Sequence, residues 1–220
     1  MQRNTLKSLL IAIIFGAFIG IISSYGDTLF NNGQFDIILL VTGYFNTATI
    51  WGISAFLIGE RTKSRKFALI LGVSLLLAAV ITYYIYGATI GNRSAIPLVT
   101  ILRTAELWSI VGIIVGSIYG IAGSIYKHPL QSKLRNVSII LLTVLILSEN
   151  GAYLYQMKDY LNANNYSAII MIVMFIFGIS LPFILIKNFK KALITLAVSL
   201  LLSVTGAVIL NLIFVLIRGY

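Results

Sequence analysis

Apolar residues run almost unbroken through residues 6–25, 37–59, 67–86, 105–126, 137–155, 166–186 and 192–216, and most charged residues fall between these stretches. Runs of about 20 apolar residues match the length at which a helix crosses a hydrocarbon core. None shows the two-residue alternation of a membrane barrel strand, and a backbone in lipid must satisfy its own hydrogen bonds, so each run is predicted to be a helix. The pattern predicts an all-α, polytopic transmembrane helical bundle of about seven spans, organised as a single integral membrane domain over residues 1–220. The second run is interrupted by Thr42, Gly43, Asn46, Thr47 and Thr49. Its helix is therefore expected to begin near Asn46 as an N-cap, which would leave residues 37–43 as an interfacial or re-entrant piece.

The basic residues set an orientation, because Lys and Arg beside spans are retained in the cytoplasm. With the N-terminus inside, Arg3, Lys7, Arg61, Lys63, Arg65, Lys66, Lys127, Lys133, Arg135, Lys187, Lys190 and Lys191 are cytoplasmic, twelve of the sixteen. Arg93, Arg103, Lys158 and Arg218 fall outside. The acids partition the other way: Asp27, Asp36 and Asp159 fall in outer loops, Glu106 and Glu149 near outer helix ends, and Glu60 inside. Seven spans then place the C-terminus outside.

Composition narrows the function classes. A mean hydropathy of +1.00, with 59% hydrophobic and 10% charged residues, excludes a water-soluble domain, which carries roughly a quarter charged. The net charge of +10 would suggest nucleic acid in a soluble protein. Here it is spread over cytoplasmic segments and fits attraction to anionic lipid headgroups, at about 1 kcal/mol per basic residue near the surface. The expected partner is the bilayer, not nucleic acid. The chain has no cysteine and one histidine, His128, which reads as a solvated loop residue. Neither a disulfide nor a histidine or thiolate metal site is expected, and no cofactor is expected. There is no Ser/His/Asp set and no phosphate-binding glycine loop, so the sequence does not point to an enzyme. Arg3 and Lys7 precede the first apolar run in the manner of a signal peptide. No A-x-A site occurs before Asp27, and the run is read as a retained helix.

Small residues four apart let helix backbones approach closely in lipid. Gly112, Gly116 and Gly120, extended by Gly123, form such a stripe in the fourth span, and Gly16 and Gly20 repeat it in the first. In the sixth span Pro182 removes a backbone donor and crowds the carbonyl of Gly178, predicting a kink.

Ionisable groups inside spans cost roughly 2.5–3.5 kcal/mol on insertion scales, so those that persist are expected to face the bundle interior. Glu106 is read as lying on the glycine stripe and pointing inward. Glu149, Asn150 and Tyr153 share a face of the fifth span at a similar depth. Trp51, Trp108 and Tyr83, with Thr82, Tyr86 and Asn46, add aromatic and polar groups near the same level. Together these residues suggest a cup for a small cationic or heteroaromatic solute, since aromatic faces attract cations and carboxylates give charge-assisted hydrogen bonds. A paired-carboxylate proton site fits the same residues. Interfacial enrichment of Trp and Tyr offers a purely structural account of them.

The motif W-x-x-x-A-F-x-x-G at Trp51–Gly59, the basic loop after it, Tyr83-Tyr84, the glycine-rich fourth span and Glu149-Asn150-Gly151 resemble an uncharacterised bacterial family of small multi-pass membrane proteins. The resemblance implies a bacterial inner-membrane protein and no specific activity. A looser similarity is to the substrate-binding subunits of energy-coupling-factor vitamin transporters, which typically have six spans where this chain has seven. The leading functional expectation is a small-solute binding or transport component with an outward-facing aromatic and acidic site. The alternative is an accessory or assembly protein that binds another membrane protein through its glycine-rich face. An ion or proton channel is the third.

Overall fold

The computed structural model describes residues 2–31, 41–42, 44–91, 97–157 and 166–218. Among them are seven helices: α1 (Gln2–Asn31), α2 (Ala48–Gly59), α3 (Arg65–Thr89), α4 (Leu98–Lys127), α5 (Ser132–Met157), α6 (Tyr166–Leu185) and α7 (Phe189–Arg218). The all-helical reading stands. The helices outrun the apolar stretches at most ends because hydropathy marks only the part suited to lipid, whereas helical hydrogen bonding continues into the polar flanks. Asp27, expected in a loop, therefore lies inside α1.

Five helices, α1, α3, α4, α5 and α7, are long and apolar enough to cross a membrane, while α2 and the apolar part of α6, Ile169–Leu185, are shorter. The second run is divided as its polar residues suggested. Residues 41, 42, 44 and 45 are helical, the chain turns at Asn46, and α2 begins after Thr47, whose side chain accepts from the Ile50 amide at 3.3 Å. Most of the proposed 37–43 piece lies outside the described residues. Large apolar side chains such as Ile14, Ile184 and Leu201 are exposed along the helices. Apolar surface on this scale requires lipid as its solvent, so the chain is a helical membrane protein.

The chain divides into two compact units, residues 1–128 and 129–220. In the first, α3 packs against α1, α2 and α4, and α2 also packs against α4. Its core gathers Ala12 and Ile19 of α1, Ala55 and Ile58 of α2, and Leu71, Leu75, Leu76 and Ala79 of α3. Glycine makes the approach possible. A Cβ on Gly16 or Gly20 would strike the carbonyls of Leu75 and Ala79, and one on Gly116 or Gly120 would strike those of Gly72 and Ala68. This register runs α1 and α3 in the same direction and α4 against them. Gly59 meets Gly120, and Gly123 meets the Phe56 carbonyl. The stripe predicted in the fourth span is thus buried inside the unit, against α2 and α3.

In the second unit α5 packs against α6 and α7. Gly178 faces Ile146 and Leu147, and Gly206 of α7 lies against Ser148. Pro182 sits inside α6 and is buried. A proline there leaves the Gly178 carbonyl, four residues back, without its helical donor. The connection into α7 is capped by Asn188, whose Oδ1 accepts from the Lys191 amide at 3.0 Å.

Candidate functional site

The glycine register of α1 on α3 leads upward to Asp27, seven residues beyond Gly20 and therefore on the same face. Half-buried there, the Asp27 carboxylate accepts a hydrogen bond from the phenol of Tyr83 on α3. Asn46, in the turn before α2, donates its Nδ2 hydrogens to both Asp27 oxygens at 3.2 and 3.3 Å. One carboxylate thus ties together α1, α3 and the entrance to α2.

The turn that carries Asn46 is itself braced. The Trp51 indole donates from Nε1 to the Phe45 carbonyl at 3.0 Å, and the Thr47 hydroxyl donates to the Tyr44 carbonyl at 2.8 Å. With its N–H engaged, Trp51 leaves its ring against Trp108 of α4, centroid to centroid 6.4 Å and tilted by 58°. Tyr83 meets Tyr84 edge to face at 5.0 Å. A continuous set of aromatic and polar groups therefore runs from α4 through α2 to α1 and α3 at one end of the unit. The opposite end carries the basic loop between α2 and α3. There Ser124 donates to the Thr62 carbonyl at 2.8 Å, and burial beside the α2 terminus pushes the Glu60 carboxyl up, opposed by the positive charges of Lys127 and His128.

Of the residues expected at the site, Trp51, Trp108 and Tyr83 lie at the Asp27 end of the first unit. Glu106 also belongs to this unit but is exposed, not turned inward. The reason is helical phase: at 3.6 residues per turn it lies about 120° around α4 from Gly112. Glu149, Asn150 and Tyr153 belong to the second unit. There Glu149 is only 2% exposed, Asn150 is fully buried and donates to the Ile146 carbonyl at 2.7 Å, and Tyr153 is half-buried.

Asp27 is the residue that reading the sequence missed as part of a site. Its signal was present in the spacing Gly16, Gly20, Asp27, which continues a packing face directly into a carboxylate. The arrangement suits capture of positive charge: an anionic group fixed by two donors, with π faces close by. Among the described residues no group of His, Asp and Glu has the makings of a metal site.

No curated protein and no solved structure matches the chain. The looser likeness to energy-coupling-factor subunits therefore finds no support. The resemblance carried by Trp51–Gly59, Tyr83-Tyr84 and Glu149–Gly151 does find a counterpart, because a family model matches residues 1–216, and the chain belongs to that family of unknown function, DUF6518.

Proposed function

We propose that the protein is a small-solute binding or transport component of a bacterial inner membrane. Its basic loops face the cytoplasm, and the Asp27 end of its first unit faces outward to receive a small cationic or heteroaromatic solute. The observation that carries this reading is the convergence of Tyr83 and Asn46 on the Asp27 carboxylate beside the Trp51–Trp108 pair. A charge that served packing alone would need no such aromatic company, whereas a cationic solute gains from both the carboxylate and the ring faces. The glycine stripe is already buried between helices of one unit, so docking to another membrane protein would need a different surface.

The test is a thermal-stability screen of the purified protein against cationic, heteroaromatic, neutral and anionic solutes. The expected result is a rise in Tm confined to the first two classes and lost in Asp27→Asn. A flat screen, or a rise that Asp27→Asn leaves unchanged, contradicts the proposal.

A further inference from the structure

Several hydroxyl groups on the helices of the first unit are satisfied in one recurring way. Thr28, Thr82, Thr89, Thr104, Ser109 and Ser117 each donate to the carbonyl four residues back, at 2.7–2.9 Å. This is the usual way a hydroxyl is satisfied on a helix surrounded by apolar groups. Ser23 and Ser24 depart from it. They are 0% and 1% exposed, and neither Oγ has a hydrogen-bond partner. A buried hydroxyl without a partner is costly, and two in succession call for an occupant.

Their position says what kind. Ser23 and Ser24 precede Asp27 by four and three residues, so the three side chains share one side of α1, a single turn apart. The register of α1 on α3, Gly16 at Leu75 and Gly20 at Ala79, continued by one more turn sets Ser24 level with Tyr83. Two unengaged hydroxyl oxygens therefore lie just beneath a carboxylate that Tyr83 and Asn46 hold in place. Carboxylate and hydroxyl oxygens together suit a hard cation or an ammonium group that has shed its water.

We propose that Ser23, Ser24 and Asp27 form a seat for a desolvated monovalent cation, either an inorganic ion or the amine of a solute. It rests on the proposed function only in taking Asp27 as the charged group of the site. The experiment measures Tm of the full-length protein in detergent at constant ionic strength in sodium chloride, methylammonium chloride or N-methyl-D-glucamine chloride. At a cation concentration 100-fold above its Kd, Tm is expected to rise by roughly 5–10 °C over N-methyl-D-glucamine. A rise with sodium alone assigns the seat to an inorganic ion, and a rise with methylammonium assigns it to an amine. Ser23→Ala with Ser24→Ala should abolish the rise, since the pair removes only the unengaged hydroxyls. Thr28→Val, which removes a hydroxyl already bonded to its own helix, should preserve it.

No difference among the three salts, or a rise that survives the double serine substitution, overturns the seat. If the double variant fails to fold, each serine substitution alone gives the same reading. A blank solute screen with the cation shift intact removes the proposed function and leaves the seat, and solute binding indifferent to both serines does the reverse.

Discussion

Tyr83 on α3 donates its phenolic hydrogen to the Asp27 carboxylate on α1, joining two residues 56 positions apart in sequence. Hydrogen bonds to charged groups contribute about 1.5–3 kcal/mol, so Tyr83→Phe should lower unfolding stability in mixed micelles by that order. Combined with Asp27→Asn in a double-mutant cycle, it should show a coupling of roughly 0.5–3 kcal/mol. Additive losses would mean that the two side chains are neighbours without being partners.

The glycines are not equivalent. At Gly16, Gly59 and Gly123 an added Cβ meets a backbone carbonyl, which cannot move without displacing a helix, whereas at Gly112 the nearest atom is the Leu76 Cβ at 3.5 Å, an ordinary contact. Alanine at any of the first three should destabilise by about 1–3 kcal/mol or more, by overpacking. Gly112→Ala should be neutral or stabilising by up to about 1 kcal/mol, since alanine is the better helix former. Thermal unfolding of the four variants side by side checks the ranking.

Glu60 gives a pH dependence. Burial raises its carboxyl above the ordinary value of 4.5, despite the attraction of Lys127 and His128. The folded state then holds the proton more tightly than the unfolded state. Stability from this group is fully present below 4.5 and is lost as pH rises through the raised folded value. Glu60→Gln should remove that portion of the pH profile and leave the variant more stable than the parent at neutral pH. Tm measured from acid to neutral pH for both proteins gives the comparison, and parallel profiles would contradict it.

Orientation can be read chemically because the chain contains no cysteine. Lys63 and Ile90, at the start and end of α3's surroundings, are both exposed. In intact cells a membrane-impermeant thiol reagent should label Ile90→Cys directly and Lys63→Cys only after permeabilisation. The reverse pattern would invert the topology drawn from the distribution of basic residues.

The helices were legible in the sequence because hydropathy over about 20 residues integrates many weak preferences, and errors at single positions average out. The break before α2 was legible to within one residue: Asn46 was expected to cap the helix, but Thr47 does so, and the Asn46 side chain bonds Asp27 instead. Gly112, Gly116, Gly120 and Gly123 were read as a packing face, and all four are buried in α4. Glu106 was misplaced because three- and four-residue steps were chained from the glycines without allowing for the drift they accumulate around the helix. Asp27 was overlooked for a different reason. At the end of the first apolar run it looked like a loop residue, and its partners, Asn46 and Tyr83, come from distant segments whose approach depends on Gly16 and Gly20 meeting α3.

The claim that the Asp27 end binds a cationic solute is tested most directly by intrinsic fluorescence. The chain has two tryptophans, Trp51 and Trp108, and they lie 6.4 Å apart at that end. Titration of the purified protein with the cationic solute that most raises its Tm should change tryptophan emission saturably, and Asp27→Asn should weaken the apparent affinity by at least about tenfold, the loss of one charge-assisted contact. Emission that stays constant while the solute binds, or an affinity unchanged in Asp27→Asn, would place binding elsewhere and contradict the account.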